Sequence, residues 1–349
     1  MMKKLITAII LILATPSLAQ NTLGSFFSNS SEGVTYFLPD TKINITVETS
    51  CVTQTPGEFY SYAERFLHIK STITEASSRW EIIGIDCESE GIPCKDKCFT
   101  IKFGNNAASS IGLDSKGIIE TINTTATAKN NYAPERRIGT SNRIDASQYM
   151  TEEMLTATST AKMAELTAKE IYAIRESKLA ITRGQAENMP SDGTAIALLL
   201  QELDKQEKAL TEMFTGRTDT VYHTSRVTIT PNELRDTTKA ILLRFSHKLG
   251  VVDKENLAGE PVYYNFKDMK TAELPIVNEK KKTDGIYYNI PGRARFEVYT
   301  RTRTFIEEEI AVAQLGIVEI LSKSLFSKSN AVKVVFDTAT GGIISIRKD

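Results

Sequence analysis

A few residue groups in this chain have types and spacings that bear directly on chemistry. Glu307-Glu308-Glu309 supplies neighbouring carboxylates, the raw material of glycoside hydrolysis, which sets two carboxyl groups on either side of the bond it breaks. Adjacent residues of a strand point to opposite faces, however, so this run reads as a solvated or edge-guarding stretch. Ser159-Thr160-Ala161-Lys162 matches the S-x-x-K pattern of penicillin-interacting serine enzymes. It sits in an alanine-rich helical segment, and Lys282-Thr283-Asp284 is not the K-T-G that should accompany it. Tyr263-Tyr264 and Tyr287-Tyr288 offer aromatic platforms for sugar stacking, which sheet packing explains equally well. Lys280-Lys281-Lys282 is a short cationic run suited to an anionic surface, a weak signal at three charges. His68, His223 and His247 are scattered without ligand spacing and read as structural. The chain contains no G-x-S-x-G elbow, P-loop, H-E-x-x-H helix or EF-hand loop. The residues therefore lead to no catalytic, metal-binding or cofactor-binding assignment.

Cys51, Cys87, Cys94 and Cys98 all lie in the first third of the chain. An even count outside the cytoplasm reads first as two disulfides, with three connectivities open. Four thiolates also suit structural zinc, but neither the Cys87–Cys94 nor the Cys94–Cys98 gap is a zinc-ribbon spacing. Free or mixed thiols are the remaining alternative. Pro93, Lys95, Asp96 and Lys97 point to a tight polar loop stapled to a neighbouring strand.

The compartment is read from the first residues. Lys3 and Lys4 precede the apolar run Leu5 to Ala14, and Ser17-Leu18-Ala19 gives the small residues of a cleavage site. Such a run is too short to span a bilayer, so residues 1–19 read as an export signal. Without Lys3 and Lys4 the chain keeps 40 basic against 43 acidic residues. That balance lacks the clustered positive charge that nucleic acid requires. No later stretch reaches the roughly 18 apolar residues of a membrane span.

The elements that must position these residues fall into three regions. Residues 20–148 form an N-terminal β-rich region. Ile43, Ile45 and Val47 alternate, Trp80 to Ile85 and Phe99 to Phe103 make further strands, and a short helix carries Tyr60, Ala63, Phe66 and Leu67. Residues 123–148 read as a loop. Residues 149–216 form a helical hairpin. One helix runs from Thr151 to Arg183, roughly 50 Å long at 1.5 Å per residue. A second, capped by Ser191 or Asp192, ends at Gly216. The first helix is apolar on two sides. Met154, Ala157, Ala161, Ala164, Ala168 and Ile171 lie along one, while Leu155, Met163, Leu166, Ile174 and Ile181 lie opposite and form the candidate partner face. Residues 217–349 return to β structure, ending in a hairpin of Val332 to Phe336 and Ile343 to Ile346. The fold class is α+β: two antiparallel β-rich regions, sandwich- or barrel-like, around an inserted antiparallel hairpin.

An internal echo accompanies this layout. Gly33-Val34-Thr35-Tyr36-Phe37-Leu38-Pro39 is answered by Gly285-Ile286-Tyr287-Tyr288-Asn289-Ile290-Pro291, and Asp114 with Gly117-Ile118-Ile119 by Asp337 with Gly342-Ile343-Ile344. A duplicated β unit would produce this pattern.

The chain also resembles a known family. The stretches that carry the likeness are Val34 to Pro39, Pro56-Gly57-Glu58-Phe59-Tyr60-Ser61-Tyr62-Ala63-Glu64-Arg65-Phe66-Leu67, and Thr151 to Leu155 continuing through Ala164 to Tyr172. Arg175-Glu176-Ser177, Thr182-Arg183-Gly184, Leu203 to Glu207 and Met213 to Gly216 extend it. Together they resemble an uncharacterised family of exported Bacteroidota proteins, a domain of unknown function. The resemblance implies a Gram-negative envelope, periplasmic or at the outer membrane, and brings no catalytic residues. The functional expectation is a non-enzymatic envelope protein that binds a protein or polysaccharide partner through its hairpin. The alternative is an enzyme or binder acting on envelope polysaccharide or peptide through carboxylates and tyrosines of the last sheet.

Overall fold

The computed structural model describes residues 33–101, 110–125, 144–186, 192–230, 234–272, 285–326 and 332–348. The export signal, the lysine triplet and most of the loop at 123–148 lie outside the described residues. Twelve strands among the described residues form three open sheets, none closed into a barrel. The first sheet has order β2-β1-β5, built from β1 (Val34–Thr55), β2 (Ser77–Ile101) and β5 (Arg217–Ile229). The second has order β10-β9-β8-β6-β7, from β6 (Thr237–Ser246), β7 (Gly250–Val252), β8 (Glu260–Asp268), β9 (Gly285–Tyr299) and β10 (Thr304–Ser322). The third, β12-β11-β4-β3, joins β3 (Ile111–Leu113) and β4 (Ile119–Ile122) to β11 (Val332–Phe336) and β12 (Ile343–Lys348). Every ladder is antiparallel.

The alternation of Ile43, Ile45 and Val47 puts one face of β1 against the second sheet. There they share a core with Ile85, Phe245, Val262, Phe266, Phe296 and Val298. A second core joins Tyr36, Leu38 and Ile122 to Ile286, Phe326 and Val334. Both cores mix residues from before and after the helices, so neither β region closes a core alone.

The echo in the sequence corresponds to repeated geometry, except that its second part is shifted by one residue, with Gly117 and Ile119 matching Gly341 and Ile343. The amide of Phe37 donates to the carbonyl of Gly117 at 3.0 Å, and that of Asn289, the matching position, to Gly341 at 3.1 Å. In the β1–β2 ladder, Phe37 and Pro39 face Cys98 and Pro93; in β9–β10, Ile290 and Gly292 face Ile317 and Val312. Each ladder therefore jumps by the same amount, within one residue of the same place in the repeat. The small hairpins agree pair by pair. Ile111↔Ile122, Gly112↔Thr121 and Leu113↔Ile119 match Val334↔Ile346, Val335↔Ser345 and Phe336↔Ile343, including a bulge before the last pair.

The helical region differs from the sequence expectation in one respect. The first helix is broken into α2 (Glu152–Leu155) and α3 (Thr160–Thr182), so the long helix is about 35 Å at 1.5 Å per residue, not 50 Å. The hydroxyl-rich stretch Thr156-Ala157-Thr158-Ser159 makes the break, because such side chains compete for backbone groups. Thr151 caps α2 by accepting the amide of Met154, and Ser159 caps α3 by accepting that of Lys162. The return helix α4 (Gly193–Thr215) starts at the Asp192 cap and ends at Gly216. Arg175 and Lys178 of α3 meet Glu207 of α4 at 2.6 and 2.8 Å, which fixes the antiparallel pairing. The short α1 (Ala63–Leu67) follows a 3-10 turn at Tyr60–Tyr62. It packs with α3 and α4 around Phe59, Ile171, Leu210 and Phe214.

Candidate functional site

The hairpin is bolted to the sheets at its root. The amide of Phe59 donates to the carbonyl of Met213 at 2.7 Å, and that of Ile73 to Thr215 at 2.9 Å. Phe59 meets Phe214 edge to face with ring centroids 5.3 Å apart. Gly57 lies so close to α4 that a Cβ there would stand 2.3 Å from the Met213 oxygen. Gly216 takes φ +76° beneath the Thr55 carbonyl, the left-handed conformation that favours glycine. The end of β1, the end of α4 and the start of β5 thus meet at one rigid corner.

A cleft of about 480 Å³ opens at this corner. Met150, Leu155, Met163 and Met213 supply its apolar walls, and Glu58, Asp145, Glu212 and Arg217 its polar lining. A 3-10 turn at Ala146–Tyr149 forms one side, held by Asp145, whose carboxylate accepts the Ser147 amide at 3.1 Å. Arg217 is engaged by Asp219 at 2.8 Å and Glu212 by Lys208 at 3.9 Å, and the lining as a whole carries three carboxylates against one guanidinium. Methionine side chains adapt to the shape of whatever enters and favour aromatic neighbours. Such a lining can accommodate an apolar group with a cation beside it.

The candidate partner face divides among different surroundings. Leu155 is exposed and Met163 half-buried, and both line the cleft. Leu166 is half-buried, while Ile174 and Ile181 are buried. The opposite side, with Met154, Ala164, Ala168 and Ile171 buried, packs inward. Sequence reasoning missed Met150, Met213 and Glu212 as site residues. Their signal was Pro56-Gly57-Glu58, the point where the chain leaving β1 reaches α4.

The cysteines are not disulfide-bonded, which corrects the sequence expectation: Cys51, Cys87, Cys94 and Cys98 are all free. Cys51 faces Trp80 and Cys87 faces Ile45, six ladder positions away, or about 20 Å along a strand. The Cys87 thiol donates to Glu308 at 2.6 Å; burial first, then that carboxylate, pushes its pKa well up and keeps it protonated. Cys94 is also pushed up, by burial and its hydrogen bond to Asp40. Cys94 to Cys98 is not a separate loop; it spans the irregularity within β2.

The other chemical candidates have structural occupations. Glu307 and Glu309 pair with Arg295 and Arg293 across the β9–β10 ladder, and Glu308 takes the Cys87 thiol. Because β10 is an edge strand, these charges guard it against further pairing. Ser159 of the S-x-x-K match is a helix cap, and Lys162 pairs with Glu165 at 3.4 Å. Tyr287 stacks on Phe99 at 4.1 Å and Tyr263 leans on Tyr299 at 5.7 Å, both as sheet packing. His223 and His247 converge on Trp80. The His223 ring lies 4.8 Å from the indole, and His247 Nδ1 is 2.9 Å from the Trp80 carbonyl oxygen. Among the described residues no cluster of three or more histidine, cysteine, aspartate or glutamate side chains is placed to hold a metal ion. No helix among them is long and apolar enough to cross a membrane.

The model of a domain of unknown function, DUF4831, matches residues 32–344, and the chain belongs to that family. Comparison with curated proteins and with solved structures gives no match.

Proposed function

We propose that this member of a family without an assigned activity is a non-enzymatic binding protein of the cell envelope, and that it receives its partner in the cleft at the hairpin root. The observation that carries this reading is the composition of the cleft. Met150, Leu155, Met163 and Met213 stand around an open volume of about 480 Å³ beneath the carboxylates Glu58, Asp145 and Glu212. The partner is a polypeptide segment that presents an apolar side chain next to lysine or arginine. Its apolar group is bound by the adaptable thioethers, and its cation is steered by the acidic lining. Envelope location is supported by the lysine-led apolar run of the first residues, which has the form of an export signal. For hydrolysis by the carboxylates of β10 the geometry gives no comparable support, since Glu307 and Glu309 are held by arginines.

The test is to pan a random peptide display library on the purified protein. Recovered peptides should carry an aliphatic or aromatic residue beside lysine or arginine. Their binding should weaken with added salt and be lost in Met163→Glu. Peptides without this pattern, or binding unchanged in Met163→Glu, would refute the assignment of the cleft.

A further inference from the structure

We infer that β12 is a self-association edge, at which a second copy of this chain continues the third sheet by antiparallel β12–β12 pairing. The repeat within the fold supplies the first argument. Strand β4 is the counterpart of β12, and its outer edge is occupied by β11 through Val334↔Ile122 and Val335↔Thr121. Ile122 is consequently 0% exposed. Its counterpart Ile346 is 53% exposed and Ile344 is 58% exposed, because no strand among the described residues lies outside β12. Ile346 stands opposite the buried Val334, and Ile344, two positions before it, is the extra residue of the bulge in β12. An unpaired edge that exposes isoleucines is a template for strand addition.

The second argument selects the occupant. In Ile343-Ile344-Ser345-Ile346-Arg347-Lys348 the isoleucines flank Ser345 symmetrically. A two-fold axis through Ser345 sets Ile344 of one copy opposite Ile346 of the other, twice, as Ile122 stands opposite Val334 within the chain. The same axis puts the Arg347 and Lys348 pairs of the two copies at opposite ends of the ladder, about 13 Å apart or more, so like charges do not meet. The result is an eight-stranded sheet with an isologous centre.

The experiment is sedimentation equilibrium on the full chain and on two variants. The wild type should show a concentration-dependent monomer–dimer equilibrium. The exposed double substitution I344K/I346K should weaken it by about tenfold or more at an unchanged melting temperature. In Ser345→Cys, residues facing each other across the axis lie about 4.5–5.5 Å apart at Cα, within disulfide reach. That variant should oxidise to a covalent dimer. Peptide mass mapping should find the new thiols of the two copies joined to each other, a link absent from wild type treated identically. A wild-type chain that stays monomeric at its highest soluble concentration would overturn the inference. A dimer that survives I344K/I346K and does not cross-link through Ser345→Cys would overturn it equally.

Discussion

Glu90 shows how single residues in this fold are committed to holding the long ladders together. Lys116 donates to its carboxylate, Asn44 reaches it at 2.7 Å and Lys42 at 3.0 Å. The lysine contact foremost, against some burial, lowers its pKa from the ordinary 4.5 to about 2. The folded value lies below the unfolded one, so its contribution to stability is present above about pH 4.5 and is lost as pH falls towards 2. Glu90→Gln should therefore be less stable than wild type at pH 7, and the two should converge below pH 2. The side chain is 37% exposed, and solvent screening keeps the difference below about 1 kcal/mol. Urea titrations across this range check the sign. None of these partners was legible in the sequence, because Lys42 and Asn44 meet Glu90 through strand register and Lys116 through the packing of the β3–β4 turn against β2. Nor were the occupations of the cysteines: spacing in the chain suggested a staple, whereas β2 draws Cys87 away along the strand to Glu308.

The elements themselves were far more legible. Periodicity located β1 and the last hairpin, and residue type gave α4 its Gly216 stop and two candidate caps, of which the structure uses Asp192. The break between α2 and α3 was missed since strong helix formers surround it, and a local run of hydroxyl residues outweighed them. Of the cleft, only Leu155 and Met163 stood in the candidate partner face. The rest depends on the docking of β1 against α4, a contact with no local signature. That docking yields a prediction at this scale. Gly57→Ala would drive a Cβ into the Met213 carbonyl and should cost about 1–3 kcal/mol in chemical denaturation. Phe214→Ala removes the partner of Phe59 and should cost about 3–5 kcal/mol. Full stability in both variants would show that the corner is not the anchor of the hairpin.

For the whole molecule, the matching registers of β1–β2 with β9–β10 and of β3–β4 with β11–β12 mark a duplicated β unit, with the helices set between its copies. Short echoes such as Gly33 to Pro39 and Gly285 to Pro291 were all that remained of this in the sequence, since packing constrains residue size and polarity more than identity. The two copies share the third sheet and both cores, so the hairpin stands on one jointly built platform. The central claim is that the root of this hairpin receives a partner. Its most direct test is a photo-cross-linking amino acid placed in turn at Leu155, at Met163 and, as a remote control, at Leu257, which is 82% exposed between β7 and β8. Irradiated in native cells, the chains carrying the probe at Leu155 and Met163 should give one shared, discrete adduct that Leu257 does not. No adduct from the cleft, or the same adducts from all three positions, would contradict the claim.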